Sequence, residues 1–168
     1  KGRWVLAWTG TDDSHQVNIM SSSDGIHFGG KVTLRQARSP SGPALVSDGD
    51  TLVLAFTGRD SDRHLNLMFS SDGQDFGSEV IVIQKQRATG GPALALHGGR
   101  KILGWTGVDS EHHVNTLGFD GPFSIDPTAN VLGDRANAGP ALANGPGNAL
   151  FLAWGGTDDS RSLNLSRI

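Results

Sequence analysis

Short apolar runs alternate along the chain with polar, glycine-bearing stretches at regular intervals. Runs such as "LVLAF" at 52–56 and "VIVI" at 80–83 are bounded by Gly, Asp or Ser. They are too short for helices and too uniformly apolar for strands with one wet face, so they predict strands buried on both sides. Residues 43–84 show four such segments, "PALVS", "TLVLAFTG", "HLNLMFSS" and "EVIVIQ". The stretches between them, "SDGD", "GRDSDR" and "SDGQDFG", have the composition that stops strands and makes turns.

The same pattern returns at a fixed period. "WTGTDDSHQVN" at 8–18 reappears as "FTGRDSDRHLN" at 56–66, "WTGVDSEHHVN" at 105–115 and "WGGTDDSRSLN" at 154–164, steps of 48 or 49 residues. "GPAL" recurs at 42, 91 and 139, and "SSDG" ahead of a phenylalanine at 22 and 70, with a degraded form, "FDGPF", at 119. Four strands in each repeat of about 48 residues are the signature of propeller blades. A lone four-stranded sheet with two apolar faces cannot hide both, whereas stacking against neighbours does, so blade-to-blade surfaces should dominate stability. The expected fold is all-β, a β-propeller of four-stranded antiparallel blades. Residues 1–168 form one propeller domain or propeller fragment, with blade parts at about 1–38, 39–87, 88–135 and 136–168. The small residues after each Gly-Pro, such as Ala44, Ala93 and Ala141, suit an inner strand near a crowded axis. The chain starts inside a repeat at "WVLAW" and stops at "LNLSRI", giving two complete and two partial blades. That count points to a fragment or to a homo-oligomer completing the ring, ahead of an unusual closure by four blades.

Composition changes this picture only by exclusion. The 24 glycines fit a turn-rich β chain, and a net charge of −3 without a basic block speaks against a nucleic-acid partner. With no cysteine, neither disulfides nor thiolate metal sites hold the fold. No apolar run approaches the roughly 20 residues of a membrane span. The first residue is Lys1 and no signal peptide is visible, which suggests a mature form, a tag-cleaved product or a fragment.

The turns at Ser22–Phe28 and Ser70–Phe76 resemble the Asp-box, or BNR repeat, of sialidase-like propellers, which runs Ser-any-Asp-any-Gly-any-Thr-Trp. Here glycine follows aspartate directly and Phe stands in place of Trp. The repeat length is also similar to that of tachylectin-type lectins. The resemblance implies that Asp24 and Asp72 cap turns between third and fourth strands, as Asx-turn chemistry also suggests. It implies an extracellular setting too. Sialidase chemistry would need a tyrosine nucleophile, and the chain contains no tyrosine.

Strand parity puts the "TGxD" loops on one face with the connectors "RSPSGP", "RATGGP" and "RANAGP", and the "SSDG" turns on the other. The first face gathers Asp12, Asp60, Asp109 and Asp158, with His15, Arg63, His112 and Arg161 three residues later. The connectors add Arg38, Arg87 and Arg135. Below them lies an aromatic column, Trp8, Phe56, Trp105 and Trp154. Planar donors, acids and aromatic rings at each seam suit sugars, and several weak sites on one ring gain by multivalency. Each column also has a structural reading: aromatic rings as core, Asp as loop caps, Arg as bridges between blades, and the recurring Asn18, Asn66, Asn115 and Asn164 as ties between strands. No zinc spacing occurs, and "TDDSH" and "DSDRH" carry only part of a calcium-loop order, so no cofactor is expected, with calcium the one candidate. The reading is a non-catalytic, lectin-like module with a glycan ligand. The alternatives are a fragment of a sialidase-like hydrolase and a protein-binding scaffold.

Overall fold

The computed structural model describes residues 2–49 and 51–168. Their secondary structure is entirely strand and turn, in four antiparallel sheets. The first sheet contains β1 (Trp4–Thr9), β2 (Gln16–Ser22) and β3 (Gly29–Arg38), in that order. The second contains β4 (Ala44–Ser47), β5 (Leu52–Thr57), β6 (His64–Ser70) and β7 (Ile81–Arg87). In the third, β8 (Ala93–His97), β9 (Arg100–Thr106) and β10 (His113–Gly121) are followed by an outer strand broken in two, β11 (Ser124–Ile125) and β12 (Asn130–Arg135), both paired to β10. The fourth has β13 (Ala141–Gly145), β14 (Ala149–Gly155) and β15 (Leu163–Arg167). These are the predicted propeller blades, the first without an inner strand and the fourth without an outer one among the described residues.

The repeat holds down to register. Trp8 sits opposite Asn18, Phe56 opposite Asn66, Trp105 opposite Asn115 and Trp154 opposite Asn164. Because successive side chains of a strand point to opposite faces, each blade feeds two seams. Leu54 and Phe56 of β5 pack with Met68 and Phe76 against Val17, Ile19, Leu34 and Ala37 of the first blade. Val53 and Ala55 of the same strand turn the other way, with Leu65 and Leu67, onto Leu94, Leu103, Trp105 and Phe119 of the third. Trp154 meets Val114 and Ala136 in the last seam. Each buried Leu or Phe contributes on the order of 1.5–3 kcal/mol, so the seams hold the assembly together.

At the axis, the inner strands β4, β8 and β13 lie side by side. Their Gly-Pro entries touch backbone to backbone. A Cβ on Gly91 would stand 2.6 Å from the carbonyl oxygen of Gly42, and one on Gly139 would run into that of Gly91. A threonine stitches each blade to the connector beyond it. Thr9 Oγ1 donates to the Ser41 carbonyl at 2.6 Å, Thr57 Oγ1 to Gly90 at 2.7 Å and Thr106 Oγ1 to Ala138 at 2.6 Å.

On the opposite face the "SSDG" turns are closed by their own side chains. Asp24 Oδ1 accepts from the Ile26 and His27 amides at 2.9 and 2.8 Å, and Asp72 Oδ1 from Gln74 and Asp75 at 2.8 Å each. Gly25 and Gly73 take φ near +75°, where a side chain would be strained. These hydrogen bonds hold both carboxyls below the ordinary carboxylate range; for Asp24 the His27 side chain is the largest cause.

Candidate ligand-binding face

Every loop after a second strand is built in one way. The glycine amide donates back across the loop, Gly10 to Gln16, Gly58 to His64, Gly107 to His113 and Gly156 to Ser162, at 2.7–2.8 Å. The Asn amide group donates to the same four carbonyls at 2.8–3.0 Å. The Asn column is therefore a loop clamp, its structural reading. At Gly58 a Cβ would stand 2.9 Å from Asn66 Nδ2 and would strike the Asp60 carboxylate, so only glycine fits beneath the closed loop.

The Asp column also serves its own loop. Asp12 Oδ1 accepts from the Ser14 amide at 2.8 Å, Asp60 from Asp62 at 2.9 Å, Asp109 from Glu111 at 3.1 Å and Asp158 from Ser162 at 3.3 Å. All four carboxyls sit below their ordinary pKa. For Asp12 and Asp158 the Ser14 and Ser160 hydroxyls are the main cause. At Asp60 and Asp109 desolvation is the largest single influence and raises the pKa, but it is outweighed. The opposing influences are amide hydrogen bonds and the nearby His64 and His113 rings.

Three residues on, His15, Arg63, His112 and Arg161 all adopt left-handed backbone, with φ between 48° and 55°. Nothing in the residue types predicts this conformation, which costs a non-glycine residue roughly 1–2 kcal/mol. Their amides donate to the Asp carbonyls at 2.9–3.2 Å. In the first three blades their own carbonyls accept from the connectors, at Ser39, Ala88 and Ala136, at 3.0–3.1 Å. Loops and connectors thus share one face, as strand parity predicts.

The Arg column reaches this face through a repeated bulge. Gln16 pairs with Arg38 but Val17 with Leu34, and the same shift brings Arg87 opposite His64 and Arg135 opposite His113. Arg87 lies 3.2 Å from Asp62, and Arg135 pairs with Glu111. These are bridges within a blade rather than between blades. In the first blade the matching position is Ser14, and Arg38 makes no ion pair among the described residues.

The aromatic column divides. Trp105 and Trp154 are enclosed, 1% and 6% exposed, and their rings pack in the second and third seams. They are core side chains with no face to offer a ligand. Trp8 is half-buried, with Lys31 Nζ 5.8 Å from its ring centre. Phe56 is buried too, yet it walls a cavity of about 500 Å³ with Gln36, Arg38, Gly58, Arg59, Asp60, Asn66 and Val80. Elsewhere on the face, Thr89, His112, Asn137, Thr157 and Arg161 line a cavity of about 260 Å³. The structure thus brings Arg38, Phe56 and Asp60 together in one place and His112 with Arg161 in another. Asp12, His15, Arg63, Arg87, Asp109, Arg135 and Asp158 do not line either cavity.

Sequence reasoning missed Gln36, Arg59 and Val80, and it read Asn66 as a tie between strands rather than as a cavity residue. The signal for Arg59 was present: its column reads Thr11, Arg59, Val108, Thr157. Asp60, Asp62 and His64 have potential ligand atoms within 4.8 Å of one another, in the loop considered for calcium. Arg87 already applies a fixed positive charge to Asp62 there.

The blade order, the register and the axial contacts define a β-propeller, and solved structures agree. A GH43_1 enzyme from Xanthomonas citri, complexed with xylotriose, superposes with a TM-score of 0.65 at 14% identity over 99% of this chain. A GH43 β-xylosidase/α-arabinofuranosidase from a compost metagenome gives 0.64 at 14% identity over 99%. An exo-β-1,3-galactanase from Phanerochaete chrysosporium gives 0.62 at 10% over 91%. The chain spans 66%, 67% and 39% of these proteins respectively, so it corresponds to part of them. Enzymes of this class have a five-bladed β-propeller, and at these identities the likeness is one of fold. No protein-family profile matches the chain, and no curated protein matches it by sequence.

Proposed function

We propose that this chain is a carbohydrate-binding propeller module whose ligands sit between blades on the face of the "TGxD" loops. The observation that carries the reading is the 500 Å³ cavity of the first seam, where guanidinium donors and an amide converge beside the apolar Val80 and the edge of Phe56. That mixture, apolar surface with a few directed polar groups, is what a sugar ring needs. Structural neighbours complexed with xylotriose or galactose support it by analogy of fold. Strand count and partial coverage of the neighbours support a ring completed by further blades, whether from a longer chain or a second copy; light scattering on the purified chain separates these.

The loop carboxylates favour binding over hydrolysis. Each of the four conserved by the repeat is committed to amides of its own loop, and a glycosidase needs two carboxyls facing one sugar at about 5–9.5 Å. A glycan array followed by calorimetry tests the reading, and silence on both overturns it. Turnover of chromogenic xylosides or sialosides by this chain would install the hydrolase reading instead.

A further inference from the structure

Three departures from the repeat fall on one seam. The aromatic column carries tryptophan in three blades, and Trp105 and Trp154 pack in the second and third seams; the first seam has Phe56, and beside it lies the 500 Å³ cavity of this face. The arginine column is matched by Asp62 and Glu111 in the second and third blades; the first has Ser14, and Arg38 is left without an acid. The residue after the loop glycine is Thr, Val or Thr in three blades; in the second it is Arg59, which lines the same cavity. Selection for stability alone would fill the seam and pair the charge.

We infer that the first seam is a single, specialised site for a carboxylate-bearing sugar, with Arg38 as its principal anion contact and Arg59 beside it. The backbones of the two arginines are joined, Arg59 N–H donating to the Arg38 carbonyl at 3.1 Å, and both residues line the cavity. Arg59 also donates to the Asp13 carbonyl across the seam, leaving its other N–H groups for a ligand. Gln36 is anchored to the Gly77 carbonyl. Asp60, the one carboxylate in the cavity wall, is engaged by the Asp62 amide at 2.9 Å and lies 3.3 Å from His64 Nδ1. Two guanidiniums against one occupied carboxylate leave the cavity net positive in a chain of net charge −3.

An unpartnered acceptor lies in the cavity wall. Asn66 is 5% exposed and lines the cavity. Its Nδ2 is used on the His64 carbonyl, but its Oδ1 has no partner among the described residues. In the first blade the equivalent Asn18 Oδ1 accepts from Thr33 Oγ1 at 2.7 Å; Val82 stands at that place opposite Asn66 and offers no hydroxyl. The Asn115 and Asn164 amide oxygens lack a donor in the same way, but only that of Asn66 belongs to a residue lining this cavity, where it is open to a sugar hydroxyl. Guanidinium groups for a carboxylate and the Asn66 amide oxygen for a hydroxyl fit a uronic acid.

This inference rests on the carbohydrate reading above and is tested apart from it with a matched pair of ligands, methyl β-D-glucuronide and methyl β-D-glucoside, titrated by NMR. The expected result is a preference for the glucuronide of about tenfold or more, falling with salt, as a charge-assisted contact gives. Arg38→Gln abolishes the preference. So does Ser14→Asp, which supplies the acid that the second and third blades carry; because it removes the Ser14 hydroxyl from Asp12, its thermal unfolding is measured alongside. Arg87→Gln leaves it unchanged. Equal affinity for both ligands, or a preference that survives Ser14→Asp and Arg38→Gln, overturns the inference while the carbohydrate reading stands. No shift with either ligand or with longer neutral oligosaccharides overturns both.

Discussion

The first and second seams are built from the same repeat and do different things. In the second, Trp105 fills the space between blades, Phe69 meets Phe119 edge-on at 6.4 Å, and Arg87 is neutralised by Asp62. In the first, Phe56 stands where the indole would be, Arg38 is unpaired, and about 500 Å³ remains open. The second seam also borders a cavity of about 490 Å³, but on the side of the "SSDG" turns; on the face of the "TGxD" loops it is closed, whereas the first seam is open there in both volume and charge. A repeat protein offers this contrast as an internal control: where a copy departs from its siblings, the departure is a candidate for function.

The largest effect expected from breaking the contrast is at the ring axis. Gly139→Ala places a methyl group into the Gly91 carbonyl and should prevent the inner strands from closing, seen as loss of cooperative thermal unfolding. A cooperative transition at the wild-type temperature would mean the connectors are not in contact. Next come the two aromatic walls. Trp105→Ala should cost about 3–5 kcal/mol in urea melts, and Phe56→Ala distinctly less, because one side of Phe56 already borders open space. Equal losses would show that the first seam is as tightly packed as the second. Conversely, Phe56→Trp should be neutral or stabilising and should close the cavity to ligand.

Acid comes third. Asp12, Asp24, Asp60, Asp72, Asp109 and Asp158 all have folded pKa values below their ordinary ones. Their contribution is therefore whole above the unfolded value of about 3.9 and is lost as pH falls below it. The melting temperature should drop on acidification from pH 5 to 3, and Asp60→Asn should flatten that drop; a melting temperature that holds or rises would contradict the loop-capping role. The smallest effect is at the guanidiniums. Arg87→Gln should cost under about 1 kcal/mol, since its pair with Asp62 is exposed, and Arg38→Gln nothing measurable.

Much of this was legible in the chain, for reasons particular residues make plain. The period of "WTG…N" carried the blade count, and the apolar runs of the second blade predicted β5 and β6 almost to the residue. The turn aspartates Asp24 and Asp72 cap as Asx chemistry requires, since those hydrogen bonds reach only two or three residues. The site was less legible. The sequence presented four equal copies of Asp, His or Arg, Arg and an aromatic residue, and the repetition itself suggested four equal sites. Their burial is not equal, because Trp105 and Trp154 each face a preceding blade while Trp8 has none among the described residues.

What the sequence determined by itself is everything set by local chemistry and by period: strands, turns, capped loops, and the stacking that a doubly apolar sheet demands. What only the tertiary structure decided is which departures from the repeat meet. Arg38, Phe56 and Arg59 come from two blades, and nothing in their spacing says that they border one cavity. Their meeting depends on strand parity, a three-residue bulge and the packing of one blade on the next. Contacts across a seam are set by how whole sheets dock, and that is a property of the assembled core rather than of any short stretch of chain.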